Sequence, residues 1–183
     1  MTFKFASLGS GSQGNGLVVV SDETHVLVDC GFSIKETERR LGRLGIDPNL
    51  IDAILVTHEH GDHVGGVARL SQKYSIPVRC TPGTFMASSS LEGQSGVEVI
   101  HGYAEFRIKD LIIEPYPVPH DAREPSQFTI VCGEDKLGVL TDCGSITPHM
   151  REQLKGCSAL FIEFNHDKDM LSRSGYPQAL KNR

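Results

Sequence analysis

Four potential metal ligands crowd into six residues in the segment Thr57-His58-Glu59-His60-Gly61-Asp62-His63-Val64-Gly65-Gly66. His58 and His60 are two apart, so on extended chain their side chains point the same way. Gly61 then lets the backbone turn, so that Asp62 and His63 can face a second metal position. Imidazole nitrogens suit Zn²⁺, and added carboxylate oxygens also admit Mn²⁺ or Fe²⁺. At this composition, chance yields His-x-His-x-Asp-His in roughly one chain per thousand. The chemistry to expect is metal-assisted hydrolysis, with Asp62 as both ligand and proton acceptor. Glu59 faces the other way from its neighbours and reads as a solvent-facing group or a support for the ligands.

The elements around this segment explain how it is positioned. Short apolar runs rich in β-branched residues predict strands at Phe3–Leu8, Leu17–Val20, His25–Asp29, Ile51–Thr57 and Ile76–Cys80. Further strands are predicted at Val97–Ile100, Phe106–Ile108, Leu111–Pro117, Phe128–Cys132, Lys136–Leu140 and Ala159–Phe164. Gly133-Glu134-Asp135 marks a hairpin. Ser33 followed by Glu36 forms a capping-box pattern, with Ile34, Thr37, Leu41 and Leu44 on one helical face and Gly45 as the stop. Helices are also expected over Val64–Tyr74, Pro82–Ser90, from Thr147-Pro148, and over Gln178–Arg183. Each half runs strands first and helices later. That order suits two mixed sheets packed face to face with helices outside. The ligand segment follows a buried strand directly, where ligands usually gather.

The central segment resembles the signature of the metallo-β-lactamase superfamily, and more of the chain follows in the expected order. Asp29 closes a strand in Val28-Asp29-Cys30-Gly31, His120 lies in Pro119-His120-Asp121-Ala122, and Asp142 lies in Leu140-Thr141-Asp142-Cys143-Gly144. The resemblance spans nearly all of residues 1–183, read as a single domain. It implies an α/β chain of the α+β type, an αββα sandwich. It also implies that His58, His60 and His120 hold one metal, that Asp62 and His63 hold a second, and that Asp142 bridges both. Asp29 would hold the ligand loop by hydrogen bonding. Without the central motif, neither His120 nor Asp142 would stand out.

Three further segments narrow the likeness: Leu8-Gly9-Ser10-Gly11-Ser12-Gln13-Gly14-Asn15, His120-Asp121-Ala122-Arg123-Glu124-Pro125 and Glu163-Phe164-Asn165-His166-Asp167. Together they resemble the YycJ/WalJ branch of bacterial nucleases. This implies a DNA exonuclease in which two divalent ions (Zn, Mn or Fe) share a hydroxide that attacks the phosphodiester. Superfamily members supply a last histidine after the bridging aspartate. In this branch it would fall beyond Arg183, so the chain is expected to be short at its C-terminus and its second site depleted. Hydrolysis of a thioester or lactam by the same fold, and a non-catalytic metal-binding module, are the alternatives.

The glycine-rich loop is either a backbone nest for phosphate or a tight turn between strands. On the first reading, Ser10, Gly11, Ser12 and Asn15 contact substrate, with Arg123. Arg123 pairing with Glu124 is the competing reading. Lysines and arginines total 18 against 23 acidic residues, a net charge of −5, which excludes a broad basic grip on nucleic acid. Five unpaired-looking cysteines, Cys30, Cys80, Cys132, Cys143 and Cys157, and a start lacking a signal-peptide core point to a reduced, cytoplasmic protein with no membrane partner. Cys30 and Cys143 read as small packing residues. Oligomeric state stays open.

Overall fold

The computed structural model describes residues 2–163, 170 and 173–175. The expected helix at Gln178–Arg183, the Asn165-His166-Asp167 motif and the end of the last predicted strand at Phe164 lie outside these residues.

The chain opens with an antiparallel meander: β1 (Phe3–Gly9), β2 (Gly16–Ser21) and β3 (His25–Val28). The β2–β3 turn is closed by Ser21 and Thr24, both of whose hydroxyls donate to Asp110. From β3 outward the sheet becomes parallel, through β4 (Ala53–Leu55), β5 (Val78–Cys80) and β6 (Val97–Val99). Parallel strands are covered on both faces and so read as unbroken apolar runs. Side-chain alternation splits these runs between two cores. Leu27, Ile54 and Val56 face the helices, while Val26, Val28, Ala53 and Leu55 face the second sheet.

The covering helices are α1 (Ile34–Arg43), α2 (Gly61–Val64), α3 (Val67–Tyr74) and α4 (Pro82–Ala87). The capping box of α1 is half made. Ser33 Oγ accepts from the Glu36 N–H, but the Glu36 carboxylate turns to Arg39 and Arg40 instead of back to Ser33. Those two guanidinium groups hold its carboxyl at a pKa of about 2.

The second sheet contains β7 (Phe106–Ile108), β8 (Leu111–Pro117), β9 (Ser126–Cys132), β10 (Asp135–Leu140) and β11 (Ala159–Ile162). Its order is β11-β10-β9-β8-β7, parallel between β10 and β11 and antiparallel elsewhere. The β9–β10 hairpin forms where Gly133 marked it, with Cys132 paired to Asp135. Ile113, Phe128, Ile130 and Leu137 fill the space between the sheets. On the outer face α5 (Pro148–Gln153) seats Met150 against Tyr116 and Leu140. The result is two mixed sheets face to face with helices on both outer sides.

The predicted helix over Val64–Tyr74 is instead two, α2 and α3, broken at Gly65-Gly66. A continuous helix would bond the Gly66 N–H to the Asp62 carbonyl. That pair is replaced by two tertiary bonds: Gly66 N–H donates to Cys30 O at 2.7 Å, and Asn15 N–H donates to Asp62 O at 2.7 Å. A Cβ on Gly66 would sit 1.9 Å from the Phe32 carbonyl oxygen. Backbone lies on both sides, so the clash has no cheap relief. Gly66→Ala is expected to cost about 3 kcal/mol or more, read as a lowered urea midpoint with unchanged slope. An unaltered midpoint would show that the close approach is not needed.

All five cysteines are free. Cys30 is buried against Thr37, and burial pushes its thiol up to about 11, as a packing role requires. No helix among the described residues is long and apolar enough to cross a membrane.

Candidate metal centre

The centre forms where β3, β4 and β10 end. Asp29 follows β3 directly and adopts a left-handed φ of 61°. Asp142, two residues after β10, has φ 23°. Four non-glycine residues among those described have positive φ, and two of them are these site carboxylates. Such backbone persists where surrounding structure over-determines it.

Asp29 is almost fully buried and serves three donors. Its Oδ1 accepts from the Thr57 N–H at 2.8 Å, and its Oδ2 accepts from Thr57 Oγ1 at 2.7 Å and from His63 Nδ1 at 2.8 Å. Because the Thr57 hydroxyl hydrogen is spent on Asp29, the 2.9 Å contact between Thr57 Oγ1 and His58 Nδ1 must be donated by the imidazole. The network therefore assigns the lone pair of His58 to Nε2. The same reasoning leaves the lone pair of His63 on its Nε2.

Those lone pairs converge. His58 Nε2 lies 3.1 Å from His60 Nδ1, and His120 Nε2 lies 3.2 Å from the same atom. His58, His60 and His120 form one group of donors within 4.8 Å of one another, and His58, His63 and Asp142 form another. Asp142 Oδ2 belongs to the second, 2.8 Å from His63 Nε2 and 3.5 Å from the Nε2 of His58, which the two groups share. A lone pair on His63 facing a carboxylate at 2.8 Å is repulsive unless a cation intervenes. With a proton in that place, burial disfavours the charge, but Asp29 and Asp142 outweigh it and raise the pKa to about 10. A divalent ion meets the same demand, and the donor set fits one.

The other groups are in the protonation states ligands need. Burial, then the neighbouring imidazoles, lowers His58 to about 2, and burial also lowers His120. Burial works against an ionised Asp142, but the His63 hydrogen bond and the imidazole charges prevail and bring it to about 2.

Asp62 sits at the edge of the second group. Its Oδ2 is 3.8 Å from His63 Nε2 and accepts from Asn15 Nδ2 at 3.2 Å. The first group is the three histidines expected together from the sequence; in the second, His58 stands where Asp62 was expected, and Asp142 belongs to that group alone.

The glycine-rich loop turns inward. Asn15 is buried; its Oδ1 accepts from the Gly11 N–H at 2.9 Å, which aims its Nδ2 at Asp62 and His63. Gly14 N–H donates to Gly11 O, and Ser10 Oγ donates to Glu163 Oε1 at 2.8 Å. The amides of Gly11 and Gly14 are thus spent inside a tight turn and do not form a phosphate nest. Of the four loop residues expected at substrate, Asn15 is buried and Gly11 half-buried, both bonded within the loop, while Ser10 and Ser12 are exposed. The Arg123 N–H donates to Glu59 Oε1 at 2.7 Å while its side chain is exposed. Glu124 does not pair with it. Glu124 Oε2 accepts instead from the Gly83 N–H at 2.5 Å, tying the His120 loop to α4.

Thr57 is the functional residue that sequence reasoning missed. Its only signal is its place, between a buried strand and the first histidine. Thr57→Val keeps the shape but removes the hydroxyl that fixes the His58 tautomer and satisfies Asp29. It is expected to cost about 1–3 kcal/mol of stability and roughly 10–100-fold in metal affinity. Urea unfolding and chelator competition read the two. Affinity unchanged within twofold would remove Thr57 from the supporting network.

Two mixed sheets carrying a histidine–aspartate cluster at their strand ends define a metal-binding hydrolase architecture. The β-lactamase superfamily domain matches residues 24–180, and the chain belongs to that family of metal-dependent hydrolases. It is 37% identical over 186 aligned residues to the exodeoxyribonuclease YycJ of Bacillus anthracis, covering all of this chain and 70% of that protein. It is 32% identical over 186 residues to the exodeoxyribonuclease WalJ of Streptococcus pneumoniae, covering 99% of this chain and 69% of that protein. Among solved structures, the Rm3 metallo-β-lactamase superposes with a TM-score of 0.68 at 17% identity, over 86% of this chain and 74% of that one. That likeness speaks for the fold alone.

Proposed function

We propose that this protein is a metal-dependent phosphodiesterase that degrades DNA from an end, using two divalent ions. The observation that supports it is the similarity along the whole chain to two exodeoxyribonucleases, joined to a donor set disposed as two groups that share His58. On this reading His58, His60 and His120 hold one ion, Asp62 and His63 hold the other, and Asp142 serves both. Zn, Mn and Fe all suit such ligands. Bound there, divalent ions lower the pKa of a water to near neutrality and polarise the phosphoryl oxygens.

The chain's own residues do the remaining work. Asp29 and Thr57 lock the imidazoles so that their lone pairs face inward. Asn15 holds the Asp62 carboxylate at the rim, where it accepts the proton of the attacking water. The positive charge of ions held by these residues would draw a phosphodiester to an otherwise acidic protein.

The test uses protein stripped of metal and reloaded with Mn²⁺ or Zn²⁺. It is offered end-labelled single- and double-stranded DNA, a bis(nitrophenyl) phosphate, a glutathione thioester and a cephalosporin. Diester cleavage restored by metal, with stepwise shortening of DNA, is the expected result. Turnover of the thioester or the cephalosporin without the diester would overturn the reading.

A further inference from the structure

One aromatic side chain stands in the open beside the segments that flank the His120 loop. Tyr103 is 68% exposed. It lies between two exposed imidazoles, with ring centroids 6.1 Å from His101 and 6.0 Å from His149, tilted by 56° and 48°. These separations are within the range of paired aromatic rings. The base of the turn is fixed, because the Tyr103 N–H donates to His101 Nδ1 and the Ala104 N–H to His101 O.

The place of this cluster joins it to the metal centre. On one side, Gly102 packs beside Thr81, whose hydroxyl donates to the Glu124 carbonyl at 2.7 Å, four residues after His120. On the other side, the Gly144 N–H donates to Pro119 O at 2.8 Å, between Asp142 and the helix that carries His149. The loop bearing His120 is therefore flanked by the two segments whose rings meet at Tyr103. The cluster links the end of the first sheet to the start of α5 across that loop. Arg123 projects from the same loop.

We infer that Tyr103, braced by His101 and His149, is a stacking platform for a base of single-stranded DNA whose backbone enters the metal centre. The inference rests on the nuclease reading and adds to it how the strand is gripped. An acidic chain of net charge −5 gains little from long-range attraction to DNA. Local contacts must hold the strand, and a π-face accepts every base without reading sequence. An enzyme that shortens DNA from an end needs that tolerance, since a new base arrives after each cleavage. Rings with polar edges suit a nucleobase better than they suit an aliphatic protein surface.

The experiment compares a labelled oligothymidylate with an abasic oligomer of equal length, so that the phosphates stay and the bases go. Binding is read by fluorescence anisotropy at fixed salt, with the metal-loaded wild type, Tyr103→Ala and Tyr103→Phe. The wild type should prefer the base-bearing strand by about tenfold or more. Tyr103→Ala should lose that preference, Tyr103→Phe should keep it, and bis(nitrophenyl) phosphate turnover should stay within twofold in both. A full preference in Tyr103→Ala, an equal loss in Tyr103→Phe, a joint fall in the small-diester rate, or a wild type that does not bind the strand overturns the platform. The two readings fail separately. A wild type that prefers the base-bearing strand but never cuts DNA sinks the nuclease reading and keeps the platform. DNA cleavage indifferent to Tyr103→Ala does the reverse.

Discussion

His58→Ala is expected to lower phosphodiester turnover by at least about a thousandfold, the scale of the several kcal/mol that bound metal contributes to the transition state. His58 is a ligand of the three-histidine group and also lies against His63 and Asp142, so one substitution removes a ligand from the first group and a neighbour from the second. Its loss also leaves Thr57 Oγ1 without the Nδ1 donor that completes the link to Asp29. His60→Ala and His120→Ala each remove a nitrogen from the three-histidine group alone. His63→Ala leaves that group whole. Elemental analysis after dialysis should therefore rank retained metal as His63→Ala above His120→Ala above His58→Ala. Equal metal in all three variants would refute the assignment of these histidines as ligands, whatever happened to the rate.

How far this centre is legible in the sequence depends on how local each part is. His58, His60 and His63 are legible because one strand end and one glycine turn place them, and their spacing is visible over six residues. His120 and Asp142 come from loops far along the chain, and only resemblance to a family put them beside the motif. Thr57 is invisible in another way: threonine is common at strand ends, and its role exists only because Asp29 arrives from β3 to accept its hydroxyl hydrogen bond. The break at Gly65-Gly66 has the same character. Periodicity over Val64–Tyr74 is helical throughout, and what stops the helix is the backbone of residues 30–32 pressed against Gly66. The positions of the strands were readable because short β-branched runs are bounded by turn residues. Their ends were less so: the strand was expected over Ile51–Thr57, while the ladder of β4 is confined to Ala53–Leu55. The glycine-rich loop shows the opposite difficulty. Its composition serves a nest and a turn equally, and only the inward amide of Asn15 separates them.

Asp62→Asn is expected to separate metal retention from chemistry. The Asp62 carboxylate accepts from Asn15 Nδ2 at 3.2 Å, and its side chain is 32% exposed, so it stands where solvent and substrate reach it. An asparagine of the same shape can turn its Oδ1 toward Asn15 and keep that bond. Its amide nitrogen then occupies the place of the outer carboxylate oxygen, where it donates and cannot accept a proton. The negative charge beside His63 is lost as well. If Asp62 takes the proton of the attacking water, turnover of bis(nitrophenyl) phosphate should fall by at least roughly a hundredfold. The three-histidine group is untouched by the change, so at least its metal should remain by elemental analysis. The circular dichroism spectrum should match the wild type, because the Asp62 backbone carbonyl still accepts from the Asn15 N–H and the new Oδ1 can still accept from Asn15 Nδ2. Near-wild-type turnover with metal intact would show that Asp62 is neither the proton acceptor nor an essential ligand. The base would then have to be sought among the other carboxylates bordering the centre, with Asp121, beside the His120 imidazole at 3.3 Å, as the first to replace.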